Sequence, residues 1–68
     1  MQKKSVQLMG HKTSVSLEPA FWEALTKIAE NRKTSVRQLI IEVDVMPDRI
    51  ANLSSALRIF VLNHKDEF

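Results

Sequence analysis

The sequence predicts a mostly α-helical domain in which one short β-strand precedes three helices. Residues 12–17 alternate strictly between apolar and polar side chains, as a strand with one buried face does. Three later segments, at about residues 19–32, 35–44 and 53–63, repeat apolar residues at helical spacing. Pro19 and Ser35 stand where the first two of these helices would begin. With 68 residues, the chain is expected to form one domain.

The strand at residues 12–17 has one face suited to a core and one suited to a polar partner. Its two faces carry Thr13, Val15 and Leu17 on one side and Lys12, Ser14 and Ser16 on the other. A strand cannot satisfy its own backbone hydrogen bonds. We therefore expect it to pair with its copy in a second chain, and the polar face of that ribbon to be the working surface.

The first eleven residues also alternate, but with the opposite parity, since Val6 and Leu8 are the apolar positions. One arrangement is a hairpin with a type II′ turn at Gly10-His11, which pairs Leu8 with Thr13 and Val6 with Val15. A second is one long strand with a bulge at Gly10, and a third is a flexible basic arm. An N-terminal arm or an extra edge strand over residues 1–11 is the preferred interpretation.

The helices each have an apolar stripe and a start signal. In the second helix, Ser35 and Gln38 fit a capping box. Asn52 or Ser54 is expected to cap the third helix, which follows a short connection at residues 44–51 that contains Pro47. Residues 64–68 are expected to fray. The residues predicted for the core of a dimer are Val15, Leu17, Phe21, Trp22, Leu25, Ile28, Leu39, Ile40, Leu57 and Phe60.

The size of the chain favours oligomerisation. A domain this small is marginal alone and needs disulfides, a metal or a partner chain. The chain has no cysteine, and its two histidines, His11 and His64, are far apart in sequence. Neither a metal nor a cofactor is therefore expected. Hydrophobic residues make up 44% of the chain, more than a small monomer easily buries.

Positive charge is concentrated in two segments. The net charge is only +2, but residues 1–17 contain three lysines and no acid, and residues 32–37 contain three basic residues and no acid. Such segregation creates a local positive field. No apolar run approaches the roughly 20 residues that span a membrane, and residues 1–5 lack the apolar core of a signal peptide. A cytoplasmic protein is expected, and we find no internal repeat.

The residues do not suggest an enzyme. Catalysis needs an activated nucleophile, paired carboxylates or a metal. The serines have no evident partner base, and there is no glycine-rich phosphate loop. His11 is expected to have a role at the surface and not in catalysis. Trp22, one turn into an amphipathic helix, is expected in the core.

The order strand, helix, helix resembles the ribbon-helix-helix family of DNA-binding proteins. The resemblance covers about residues 10–62 and is carried by the run Gly10-His11-Lys12-Thr13-Ser14-Val15-Ser16-Leu17-Glu18-Pro19-Ala20-Phe21-Trp22, by Thr34-Ser35 leading into residues 36–41, and by Asn52-Leu53-Ser54-Ser55-Ala56-Leu57-Arg58. These runs are similar to a compact bacterial branch of that family. The third helix is an addition to the minimal fold, and we expect it to pack in the core.

The resemblance implies an intertwined homodimer whose intermolecular antiparallel ribbon enters the major groove of DNA. On this view Lys12, Ser14 and Ser16 contact bases. The start of the second helix, Lys33, Thr34, Ser35, Val36 and Arg37, contacts phosphates. Lys3, Lys4 and His11 are candidate arm contacts. A bacterial transcriptional regulator, nucleoid-associated when bound, is the expected function; an antitoxin-like or other protein-interaction module that uses the third helix to hold a protein partner is the alternative.

Overall fold

The computed structural model describes residues 1–46 and 52–68. In chain order these form strand β1 (Gln2–Leu8), strand β2 (His11–Leu17), helix α1 (Pro19–Asn31), helix α2 (Val36–Asp44), helix α3 (Leu53–Asn63) and a 3₁₀ turn (Lys65–Glu67). The strands make a two-stranded antiparallel sheet, one face of which is buried in a common core with the helices. The part of the predicted connection that contains Pro47 lies outside the described residues.

Strand β1 is the main departure from the predicted single strand. It pairs with β2 in a register that places Gln2 opposite Leu17 and Leu8 opposite His11. The expectation that residues 12–17 lack a strand partner within the chain was therefore wrong, because β1 occupies one edge of β2. Of the arrangements considered for residues 1–11, the structure has a hairpin rather than a bulged strand or a flexible arm.

The hairpin turn lies one residue earlier than the predicted Gly10-His11 turn. Its central residues are Met9 and Gly10, and Gly10 has a φ of +85°. Glycine adopts this angle without strain, and it is the angle required at the second central position of a type II turn. The predicted pairings move by two residues, so that Val6 lies opposite Thr13. A shift of two preserves which face each side chain occupies, so the predicted faces of both strands stand.

Helix α1 begins at Pro19, and Arg32 caps its C-terminus. The N–H of Lys33 donates to the Glu30 carbonyl at 3.1 Å, and the N–H of Thr34 donates to the Ala29 carbonyl at 2.9 Å. With Lys33 in a left-handed conformation (φ 56°), this is the Schellman arrangement that often ends a helix at glycine. The chain thus turns directly from α1 into α2.

Side-chain caps start the next two helices. Ser35 Oγ accepts a hydrogen bond from the N–H of Gln38 at 3.0 Å, which is the predicted N-cap of α2. Of the two candidates for α3, Asn52 is the cap, since its Oδ1 accepts from the N–H of Ser55 at 2.9 Å. Each bond satisfies one of the N–H groups that a helix N-terminus leaves without a partner.

The prediction that residues 64–68 fray was wrong. Glu67 accepts two hydrogen bonds from the Arg32 guanidinium, at 2.7 and 2.8 Å, and its carbonyl accepts one from the Asn31 side chain. The His64 ring stacks on Phe60 with 4.3 Å between centroids. A polar clamp therefore attaches the 3₁₀ turn to the end of α1.

Nine of the ten residues predicted for a dimer core are buried inside the single chain. Phe21 is the exception: it is half-buried and packs against the core, with the Arg58 guanidinium 5.9 Å from its ring centroid. The sheet contributes Val6 and Leu8 as well, because β1 pairs with β2. Trp22 is buried as expected, and its Nε1 donates to the Gln2 carbonyl at 3.0 Å.

Candidate nucleic-acid interface

The side of the hairpin opposite the core is a polar surface, which we call the outward face. Five of its six side chains are exposed and one, Ser16, is half-buried. The cross-strand neighbours on this face are Lys3 and Ser16, Ser5 and Ser14, and Gln7 and Lys12. Since residues 1–17 contain no acid, the outward face combines hydroxyl and amide groups with positive charge only.

The structure brings the three predicted base-contact residues together on the outward face. Lys12, Ser14 and Ser16 lie on β2 with their neighbours in β1 beside them. Lys12 is opposite Gln7, and Lys3 is opposite Ser16, so the two lysines stand at diagonally opposite ends of the face. Four residues of strand separate them, which is about 14 Å at the usual rise per residue.

The predicted arm residues are not on an arm. Lys3 lies on the outward face, whereas Lys4 lies on the other side of β1, with its Nζ 4.9 Å from the centroid of the Trp22 ring. This is a cation–π contact, which holds the ammonium against the edge of the core. His11 begins β2 on the parity of Thr13, so it too is absent from the outward face. Only Lys3 of the three joins the predicted base-contact residues.

The N-terminus of α2 borders the outward face at the Gln7 end of β1. Arg37, the second residue of α2, donates from Nε to the Gln7 carbonyl at 2.7 Å and remains exposed. The backbone N–H groups of Val36 and Arg37 belong to the first helical turn, which has no intrahelical acceptors for them. The helix dipole and these N–H groups favour an anion there.

Thr34 contributes less to this site than the sequence indicated. We expected its backbone N–H to face a phosphate, but this N–H donates a hydrogen bond to the Ala29 carbonyl. Ser35 Oγ is likewise committed to the cap of α2. The side chains of Lys33 and Arg37, together with the first-turn N–H groups of α2, are what the structure offers to an anion.

Several cations elsewhere in the described residues form ion pairs with acidic side chains, whereas those of the outward face do not. Arg58 donates to Glu18 at 2.9 Å, which lowers the pKa of the Glu18 carboxyl below its ordinary value of 4.5. Lys27 lies 3.7 Å from Glu23. Within residues 1–46 and 52–68, no ion pair involves the four cations of the outward face and the start of α2, namely Lys3, Lys12, Lys33 and Arg37. Among the described residues, no ion pair therefore compensates the positive charge there.

Other kinds of site find little support in the described residues. They contain no group of three potential metal ligands from His, Cys, Asp and Glu. None of their helices is long and apolar enough to cross a bilayer.

Ser5 and Gln7 also lie on the outward face, although neither was among the predicted DNA-contacting residues. Their alternation with Val6 and Leu8 was visible, and it is the signal that places them on one face of a strand. What was not visible was the turn at Met9-Gly10, which lays that strand against β2. The Gln7 amide is held near this turn, since its Nε2 donates to the His11 carbonyl at 3.1 Å.

The fold and the outward face define a small helical domain that presents a basic β-ribbon. A family model for the ribbon-helix-helix domain matches residues 1–65, so the chain belongs to the ribbon-helix-helix family. This is in general a family of DNA-binding regulators whose domains are typically non-enzymatic and bind DNA as dimers. No curated relative and no solved structure matches the chain significantly.

Proposed function

We propose that this chain is a sequence-specific DNA-binding protein that regulates transcription as a homodimer, on the nucleoid of a bacterial cell. The observation that carries the proposal is the outward face of the hairpin, which is polar, exposed and free of acids. A two-stranded ribbon fits the major groove of B-DNA, where base edges are distinguishable. The proposed role is binding and not catalysis.

The proposed contacts with DNA are of two kinds, those to bases and those to phosphates. Lys12, Ser14 and Ser16 face the bases, where lysine donates to guanine and serine donates or accepts at any base. The start of α2, with Lys33 and Arg37, binds a phosphate and sets the position of the ribbon. The link between Arg37 and Gln7 supports this division, because it fixes the helix end beside the ribbon.

The homodimer is the second part of the proposal. Of two arrangements, one leaves the hairpin intact within each chain and joins the chains elsewhere, and the one expected from the sequence is intertwined, with residues 12–17 of two chains forming an intermolecular ribbon. The edge of β2 that faces away from β1 would supply its backbone groups. Ile59 and Leu62 on α3 are each 53% exposed and lie three residues apart, so they form an apolar strip that a second copy could bury.

Selection from a random duplex pool, followed by anisotropy titration on the selected site, tests the proposal. We expect Lys12→Ala and Ser14→Ala to change base preference. We expect Arg37→Ala to weaken binding to all sequences alike, with circular dichroism checking that the hairpin survives loss of the Gln7 contact. Lys27→Ala, which changes a cation paired with Glu23 on α1, is the control. No binding by the unmodified chain at low salt would refute the proposal.

A protein-interaction module, for instance an antitoxin-like protein, is the second candidate function. The exposed Ile59 and Leu62 on α3 favour it. If this candidate is right, a stoichiometric protein partner copurifies with the chain, and Ile59→Ser with Leu62→Ser releases that partner without changing DNA affinity. If the strip serves the homodimer instead, the same double variant changes the sedimentation coefficient of the purified chain.

A further inference from the structure

The two strands of the hairpin repeat each other in sequence. Lys3-Lys4-Ser5-Val6-Gln7-Leu8 and Lys12-Thr13-Ser14-Val15-Ser16-Leu17 are identical at four of six positions: the lysine, the serine, the valine and the leucine. The expectation that the chain has no internal repeat was therefore wrong. The repeat is shorter than a structural unit, and its meaning depends on the register of the strands.

The register turns this repeat into an approximate two-fold symmetry. Ser5 lies directly opposite Ser14. A two-fold axis through that pair, perpendicular to the sheet, exchanges the strands and superposes each residue of β1 on its repeat in β2. It exchanges Lys3 with Lys12 on the outward face and Val6 with Val15 on the core face. A symmetric ribbon of this kind is what two copies of one strand would produce, yet here both strands belong to one chain.

Helices contact the two outer edges of the hairpin at symmetry-related residues, through different backbone groups. The axis exchanges Gln7 with Ser16. The Gln7 carbonyl accepts a hydrogen bond from Arg37, the second residue of α2, at 2.7 Å. The N–H of Ser16 donates to Oγ of Ser54, the second residue of α3, at 3.4 Å. Each outer edge of the ribbon is therefore attached to the start of a side-chain-capped helix.

We infer that the hairpin of a single chain is the complete DNA-reading ribbon, in which β1 takes the place that a second copy of β2 would occupy. Lys3 and Ser5 then face bases as the counterparts of Lys12 and Ser14, and one chain recognises a pseudo-symmetric site. This inference rests on the proposed DNA-binding function. A homodimer would carry two such ribbons and would be joined elsewhere than through β2.

The dimensions of the groove support a ribbon contained in one chain. Pairing a second copy to the open edge of β2 would make four strands, with about 14 Å between the outer two. The major groove is roughly 12 Å wide and admits two strands. The edge of β2 that faces away from β1 is also partly blocked. At Ser16, Ser54 Oγ already accepts a hydrogen bond from the backbone N–H that a further strand would need. The two-stranded hairpin meets neither obstacle.

Matched substitutions at symmetry-related positions test the reading role. We expect Lys3→Ala and Lys12→Ala to weaken binding to the selected site by similar factors, each about tenfold, and Ser5→Ala and Ser14→Ala to form a second matched pair. Gln7→Ser makes the three outward residues of both strands identical, so the selected site should become more nearly palindromic. Loss of binding on Lys12→Ala with none on Lys3→Ala would overturn the inference, since an intermolecular β2 ribbon predicts that asymmetry.

An isotope-filtered nuclear Overhauser experiment tests where the second strand comes from. Chains labelled with ¹³C and ¹⁵N are mixed with unlabelled chains, alone and with the selected DNA. We expect the contacts between Ser5 and Ser14 and between Lys3 and Ser16 to appear in unfiltered spectra and to be absent from the filtered spectra of both samples, because each pair belongs to one chain. Contacts between residues 12–16 of different chains would overturn the inference while leaving DNA binding intact. Failure of the unmodified chain to bind DNA would instead overturn the proposed function, and the reading role of the hairpin with it.

Discussion

Replacing Lys12 with alanine is expected to weaken the salt dependence of DNA binding by the equivalent of about one ionic contact. Each phosphate that a protein neutralises contributes about −0.9 to the slope of log K against log salt concentration. The four cations of the outward face and the start of α2 form no ion pair with any described residue. If all four meet phosphates or the potential of the groove, the slope is about −3.6 per chain.

These slopes correspond to a measurable difference in affinity. Between about 50 and 200 mM salt, a slope of −3.6 reduces affinity by about 150-fold, whereas a slope of −2.7, with one cation removed, reduces it by about 40-fold. Anisotropy titrations at several salt concentrations measure both slopes.

Substitutions of Lys3 and Lys4 distinguish the hairpin of the structure from a flexible basic arm. An arm would give Lys3 and Lys4 equal effects, whereas the hairpin puts Lys3 on the outward face and holds Lys4 against Trp22. We therefore expect Lys3→Ala, but not Lys4→Ala, to lower the magnitude of the slope. Lys27→Ala should leave the slope unchanged. A slope near zero for the unmodified chain, or equal slopes for Lys12→Ala and Lys27→Ala, would refute the assignment of the outward face.

Three further substitutions test the fold and the helix start. Gly10→Ala has space for its Cβ but forces a left-handed residue, so it should destabilise the chain by about 1–2 kcal/mol in urea unfolding; an unchanged midpoint would contradict the turn. Ser35→Asp keeps a capping oxygen and should preserve the thermal midpoint while weakening DNA binding, since its charge repels a phosphate; unchanged affinity would exclude this helix end. Arg32 lowers the pKa of Glu67 below 4.5, so the pair stabilises the chain above that pH and is lost as pH falls further; Glu67→Gln should flatten this acid loss.

The elements that local chemistry specifies were predictable. Alternation assigned Lys12, Ser14 and Ser16 to one face regardless of which strand they paired with, because the side-chain period of a strand is two. The cap at Ser35 was predictable for a similar reason, since a capping bond reaches only three residues along the chain, and the same rule reduced the cap of α3 to Asn52 or Ser54.

The features that depend on distant partners were not predictable. The pairing of β1 with β2 depends on a turn whose position differs by one residue from the one considered, and only glycine's tolerance of positive φ signalled it. The Schellman end of α1 uses Lys33 in a conformation that usually calls for glycine, so nothing in the sequence showed that the N–H of Thr34 would be consumed. The clamp between Arg32 and Glu67 joins residues 35 positions apart.

The small side chains on the outward face of the hairpin limit how many bases it can distinguish. Between the two lysines of the outward face lie three serines and Gln7, whose amide is held at the turn. Serine accepts or donates at any base and discriminates weakly, whereas lysine prefers guanine. If the hairpin reads DNA, the bases that it distinguishes lie mainly under Lys3 and Lys12, which are about 14 Å apart, or about four base steps. Short side chains also let the backbone of the ribbon approach the base edges closely, so the spacing of the two preferred bases depends on the rigidity of the hairpin. Substituting Gly10, which lies in the turn two residues before Lys12, should then blur the preference at both positions together.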